Sequence, residues 1–168
     1  PITLTALKEI PLIREGDDLV DIIVNALRNS NLVLEDNDIL VLTQKIVSKA
    51  EGRTVNLATI KPSNRAQQLA LQTEKDARLV ELILQESNDV LRTRPGTIIV
   101  EHKLGFICAN AGIDHSNVGV TSDTAEDVVL LLPRDPDLSA KDIRTKLETI
   151  TGKRIGVMII DSHGRAWR

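Results

Sequence analysis

The chain has 168 residues, a formal net charge of −3 and 42% hydrophobic residues, enough apolar side chain to build a core at this length. One Phe, one Trp and no Tyr make that core aliphatic. Together with the absence of excess positive charge, they exclude a nucleic-acid surface that stacks bases and tracks a phosphate backbone.

Any phosphate binding must therefore be local. The single cysteine, Cys108, excludes an internal disulfide and a cysteine-built zinc site, and it is expected to be a small buried residue. No apolar run approaches the length of a bilayer span, and Pro1-Ile2-Thr3-Leu4-Thr5 has no signal-peptide pattern. A cytoplasmic protein without membrane or nucleic-acid partners is expected.

In chain order, Ile10-Pro11-Leu12-Ile13 is a short apolar stretch leading to Gly16-Asp17-Asp18. Leu19, Ile22, Ile23, Ala26 and Leu27 then recur as one face of an amphipathic helix, with Asp17 placed to cap it. Asp36-Asn37-Asp38 reads as a turn and 39–43 as a buried strand. Pro62-Ser63 announces a helical region in two pieces, through Leu69 and then through Leu79, Leu82 and Ile83. Pro95-Gly96 is another turn, followed by strands at 97–101 and 106–109. A further helix is expected from Ser139, with Asp142 completing a capping box, a stripe of Ile143, Leu147 and Ile150, and Gly152 at its end. A last strand covers 155–160. The order mixes helices and strands without regular alternation, which gives a mixed α/β, α+β-type class rather than a doubly wound parallel sheet.

Three segments join an apolar strand to an unusual polar loop, the position where ligands sit in sheet enzymes. In 43–53, Lys45 and Lys49 are four apart, so a helical turn would bring both ammonium groups to one side, where with Arg53 they could hold a polyphosphate; surface lysines are the competing explanation. In 110–117, Asn110, Asp114 and Asn117 among small residues could offer oxygen ligands to a hard cation, or merely satisfy a tight turn. In 159–165, Asp161 and Ser162 after an apolar strand could hold magnesium beside a nucleotide, or cap the strand end. His102, His115 and His163 lack the spacing of a helical zinc pair, and His163 reads as a solvent-facing imidazole. There is neither a Gly-x-x-x-x-Gly-Lys-Ser/Thr loop nor a Gly-x-Ser-x-Gly elbow. Spacing alone reaches metal-assisted phosphate chemistry and goes no further.

Taken together, these segments resemble the coenzyme F-420-0:L-glutamate ligase family, the gamma-glutamyl ligases of deazaflavin cofactor biosynthesis. The likeness runs along essentially the whole chain: 10–13 with Gly16-Asp17-Asp18, then 45–53, then Asn110-Ala111-Gly112-Ile113-Asp114 with Ser116-Asn117. It continues through Leu131-Leu132-Pro133 with Asp135-Pro136-Asp137 and Ser139, and through 161–165 with Arg168. The resemblance implies a mixed sheet flanked by helices in a gamma-glutamyl ligase-like fold, a single domain or lobe over 1–168. Because family members continue well beyond the position of Arg168, it also implies a fragment or shortened homologue lacking their C-terminal region, with little or no ligase activity by itself.

The activity so implied is GTP-dependent addition of L-glutamate to coenzyme F-420-0 through an acyl phosphate. The ions would be manganese or magnesium, with potassium as a further candidate, and the assembly a homodimer. Ile10, Pro11, Leu12 and Ile13 match the segment that contacts the nucleotide near the N-terminus. Gln44, Lys45, Lys49 and Asn117 match further nucleotide contacts. Asp114 and Asp161 match ligands of one metal and Ser162 a ligand of the second. No catalytic nucleophile is implied. The alternative functional class is a non-catalytic nucleotide- or metal-binding module of the same fold, and a third is a purely structural or oligomer-forming lobe.

Overall fold

In the computed structural model, which describes residues 2–114 and 127–161, the apolar spacing after Asp18 becomes α1 (Leu19–Asn29). Its buried stripe is Leu19, Val20, Ile23, Ala26 and Leu27. The N-cap is Asp18 rather than Asp17: the Asp18 carboxylate accepts from the amides of Val20 and Asp21, satisfying donors that the first turn leaves open. Asp17 instead accepts from the Arg14 amide at 2.7 Å and closes the preceding turn. The helix ends at Ser30, and Asn31 at φ 53° turns the chain so that the Leu32 amide bonds back to the Leu27 carbonyl.

The described residues form two compact units, one from Pro1–Arg53 and Pro133–Arg168, the other from Thr54–Leu132. In the first, β1 (Ile39–Thr43) leads without a loop into α2 (Gln44–Ala50), and α5 (Pro136–Thr151) precedes β7 (Gly156–Ile160). β1 and β7 pair in parallel, with Ile39 opposite Gly156 and Thr43 opposite Ile160. Leu40 and Leu42 alternate inward and join Ile13, Ile23, Val47 and Leu147 in one core, while Ile39, Val41, Met158 and Ile160 are exposed. Each fully buried Leu or Ile there contributes roughly 1.5–3 kcal/mol.

α5 begins earlier than the capping box suggested. Asp135 is its N-cap, accepting from the Leu138 amide at 2.9 Å, and Pro136 takes the first turn, where a missing N–H costs nothing. Gly152 ends it at φ 67°, as expected, but of the proposed stripe only Ile143 and Leu147 are buried; Ile150 is exposed.

In the second unit, β2 (Thr54–Asn56) pairs antiparallel with β6 (Val128–Leu130). The two-piece helical region is α3 (Asn64–Thr73), capped by Ser63, and α4 (Ala77–Gln85), capped by Asp76. They pack on an antiparallel sheet ordered β3 (Ser87–Arg94), β4 (Thr97–His102), β5 (Ile107–Ala109). Val80, Ile83, Ile98 and Val100 are completely buried in the main core, and Leu57, Leu82 and Val129 form a second cluster. The Pro95-Gly96 turn joins β3 to β4, with Gly96 at φ 78°. The α+β class holds, with the strands divided among one parallel pair, one antiparallel pair and one antiparallel three-stranded sheet.

Candidate functional site

The parallel pair decides what the first unit can present. Thr43 and Ile160 face one another at its C-terminal end, so the next residues, Gln44 and Asp161, leave the sheet at the same edge. That edge is where parallel α/β pairs bind ligands. Asp161 is exposed there. Gln44 opens α2 with its side chain turned inward: it is 3% exposed, and its Oε1 accepts the Ser48 hydroxyl at 2.9 Å, one helical turn on. It braces the first turn from which Lys45 projects. α2 also meets the condition set by the lysine spacing, since Lys45 and Lys49 lie four apart on a helix, both half-buried.

The N-terminal stretch divides. Ile13 is buried in the same core as Val47 of α2, whereas Ile10, Pro11 and Leu12 are exposed. The second half of the 43–53 segment is occupied with holding the unit together. Glu51 accepts from the Arg134 amide at 3.0 Å and from the Ser139 hydroxyl at 2.6 Å, and Gly16 donates its amide to the Ala50 carbonyl at 2.9 Å. Ser139 is thus a tie between α5 and Glu51, not a cap. A cavity of about 360 Å³ beside this junction is walled by Asp17, Asp18, Glu51, Asp142 and Lys146 and is lined by none of the residues that the resemblance assigns to the nucleotide or the metals. Three of its carboxylates already accept backbone amides: Asp17 closes a turn, Asp18 caps α1 and Glu51 holds Arg134.

Asp114 belongs to the second unit, where its amide and carbonyl exchange hydrogen bonds with Leu130 at 2.9 and 2.8 Å. The turn before it is left-handed throughout: Asn110, Ala111 and Gly112 have φ of 52°, 53° and 65°. Asn110 does not satisfy its own turn; its Oδ1 accepts the Ile98 amide across the sheet at 3.0 Å. A side chain at Gly112 would sit 2.7 Å from Leu132 Cδ1. Backbone strain of this kind, in a non-glycine residue such as Ala111, persists only where the surroundings over-determine it. The loop is therefore built to fix Asp114.

Asn117 and Ser162 lie outside the described residues. Among the described residues, no three His, Cys, Asp or Glu side chains gather closely enough to hold a metal ion. Asp161 in the first unit and Asp114 in the second each carry a carboxylate, a hard oxygen donor of the type that magnesium and manganese prefer. Cys108 is half-buried on β5 rather than in the core. His102 is buried, accepts the Leu104 amide on Nδ1 at 3.0 Å and stacks on Phe106, a structural imidazole. No helix among the described residues is long and apolar enough to cross a membrane.

A family model, F420-0:Gamma-glutamyl ligase, matches residues 8–168. The chain belongs to the F420-0:gamma-glutamyl ligase family. Curated relatives agree along nearly its whole length. It is 43% identical to the coenzyme F420:L-glutamate ligase of Methanothermobacter thermautotrophicus over 99% of the chain and 64% of the relative. The enzymes of that name from Archaeoglobus fulgidus and Methanopyrus kandleri are 43% and 41% identical over 95% and 93% of the chain, which covers 59% and 58% of their lengths. The chain thus spans about three fifths of the length of the gamma-glutamyl ligases it matches.

Among the residues that spacing did not single out, Ser48 and Glu51 matter most. Ser48 stands four residues after Gln44, a helical pairing that could have been read from sequence; Glu51 meets Ser139 across 88 positions and could not.

Proposed function

We propose that the chain carries the nucleotide-binding part of a GTP-dependent ligase that adds L-glutamate to coenzyme F-420-0. The observation that carries it is the shared strand edge, where Gln44 and Lys45 of α2 follow β1 and Asp161 follows β7. Lys45 and Lys49 neutralise the phosphates of GTP, and the exposed apolar side chains of Ile10 and Leu12 flank the nucleotide. Asp114, Asp161 and Ser162 take the metal-ligand roles, and Asn117 a nucleotide contact. A divalent manganese or magnesium ion supplies charge neutralisation for the phosphates when bound.

A free carboxylate is a poor acylating agent, so it must be activated before an amine can displace oxygen. In the first step a carboxylate oxygen of the cofactor tail attacks the γ-phosphorus, and GDP leaves with the bridging oxygen and its electron pair. In the second the amine of L-glutamate attacks the acyl carbon, inorganic phosphate departs, and the amine proton passes to solvent. The protein positions and neutralises; it supplies no nucleophile.

The test is calorimetric titration of the whole chain with GTP and manganese, followed by GTP hydrolysis measured with and without L-glutamate and F-420-0. Saturable GTP binding that weakens tenfold or more in Lys45→Ala and Asp161→Asn supports the site. Absence of metal-dependent GTP binding overturns it. The second reading, a binding module without turnover, predicts the same titration without glutamate-dependent hydrolysis.

A further inference from the structure

The second unit carries a groove of about 350 Å³ between the outer face of α3 and the edge strand β3, far in character from the acid-walled cavity of the first unit. Arg65, Gln68 and Gln72 follow one another at positions i, i+3 and i+7, which puts them on one side of α3. Arg92 rises from β3 on the facing wall, and the floor is apolar, from Leu69 and Val90. No carboxylate lines the groove, and α3 has no acidic residue from end to end. Among the described residues neither Arg65 nor Arg92 has an ion-pair partner.

A chain of net charge −3 repels acidic ligands at large, so two unpaired guanidinium groups flanked by amide donors are a local reversal of sign. Guanidinium forks match carboxylates in two parallel hydrogen bonds. The apolar floor asks for methylene groups between those carboxylates. Compact phosphates offer none.

We infer that this groove binds an oligo-γ-glutamyl chain, the tail class on which a glutamate-adding ligase would act. Each γ-linked unit carries one free α-carboxylate for Arg65 or Arg92 and a two-methylene stretch for the Leu69 and Val90 floor, while Gln68 and Gln72 donate to the amide carbonyls. The identity of the ligand rests on the proposed ligase function; the groove itself does not depend on the GTP site.

The experiment titrates synthetic tri-γ-glutamate into the whole chain by calorimetry, beside the α-amide analogue and inorganic phosphate. Saturable binding of tri-γ-glutamate is expected, at least tenfold tighter than either control, and weakened at least tenfold in the Arg65→Gln/Arg92→Gln double variant. A second variant, Gln68→Glu/Gln72→Glu, keeps the arginines and reverses the wall charge; it too should lose at least tenfold. Both pairs are on exposed positions, and far-ultraviolet circular dichroism verifies the fold. No saturable binding, equal binding of phosphate, or unchanged affinity in both variants overturns the assignment. GTP and manganese are titrated into the same variants. Loss of oligoglutamate binding with GTP binding intact removes the groove alone, and oligoglutamate binding in a chain that does not bind GTP removes only the nucleotide site.

Discussion

The two units obtain order by different means. The first closes a parallel pair between strands more than a hundred residues apart and covers it with amphipathic helices, so its polar chemistry gathers at a strand edge. The second builds its three-stranded sheet from chain neighbours, antiparallel and joined by short connections, and it holds Asp114, after a strained turn, in backbone hydrogen bonds to Leu130 of β6. The lesson is that one proposed ligand, Asp161, is placed by topology and the other, Asp114, by local backbone rigidity. They should fail differently when disturbed.

Core truncation is the strongest way to break the comparison. Leu147→Ala in the first unit and Ile83→Ala in the second each delete a fully buried side chain and should cost about 2–5 kcal/mol in urea unfolding. Hydrogen exchange should accelerate first in β1 and β7 for the former and in β3 and β4 for the latter. Exchange rising equally everywhere in both variants would erase the distinction.

Two glycines sharpen it. Gly112→Ala forces a methyl group against buried Leu132 at a positive φ and should cost about 3 kcal/mol. Gly52→Ala meets only the Glu15 side chain, which is exposed and can swing away, so the cost should be about 1 kcal/mol, chiefly from φ. Thermal unfolding of the two variants gives the order directly; Gly52→Ala proving the worse would contradict the rigid-turn account.

Capping comes next. Asp18→Ala and Ser63→Ala each remove a helix N-cap, one per unit, at about 1 kcal/mol. Ser63→Ala also takes away the hydroxyl's hydrogen bond to the Glu81 carboxylate, leaving only the one donated by the backbone amide, so it should exceed Asp18→Ala when both are compared at neutral pH.

The smallest effect is in acid. Hydrogen bonds from Arg78 hold the Asp76 carboxyl below its ordinary range, and those from Ser63 do the same for Glu81. A depressed folded-state value means that stability is fully present above the ordinary carboxylate range and fades as pH falls through that range to the folded values. Both groups are largely solvent-facing, so screening keeps the contribution small. Asp76→Asn and Glu81→Gln should flatten the acid limb of the stability curve, and an unchanged limb in both would refute the linkage.

Much of this was legible in the residues. The strand 39–43, the caps at Ser63 and Gly152, the Pro95-Gly96 turn and the two-piece helix follow from period and turn chemistry, which are local. β3 was not legible. Ser87–Arg94 is an edge strand with two register shifts, so it needs no apolar alternation and shows none. β2 and β6 are three residues each, too short for any period. Asp17 and Asp18 are adjacent, and only the backbone angles decide which one caps. At the site, the polar loops after strands could be picked out and the helical spacing of Gln44 and Ser48 was there to read, but Glu51 reaching Ser139 depends on packing that no spacing encodes.

The first unit's sheet needs residues 39–43 and 156–160, whereas every described strand and helix of the second is complete by residue 130. On a ribosome, which releases the chain from its N-terminus, the inserted unit has all of its material while the outer one still waits for its closing strand. Arrested nascent chains ending near residue 135, once clear of the exit tunnel, would then resist protease across 54–114 and 127–132 and be cut freely within 2–53.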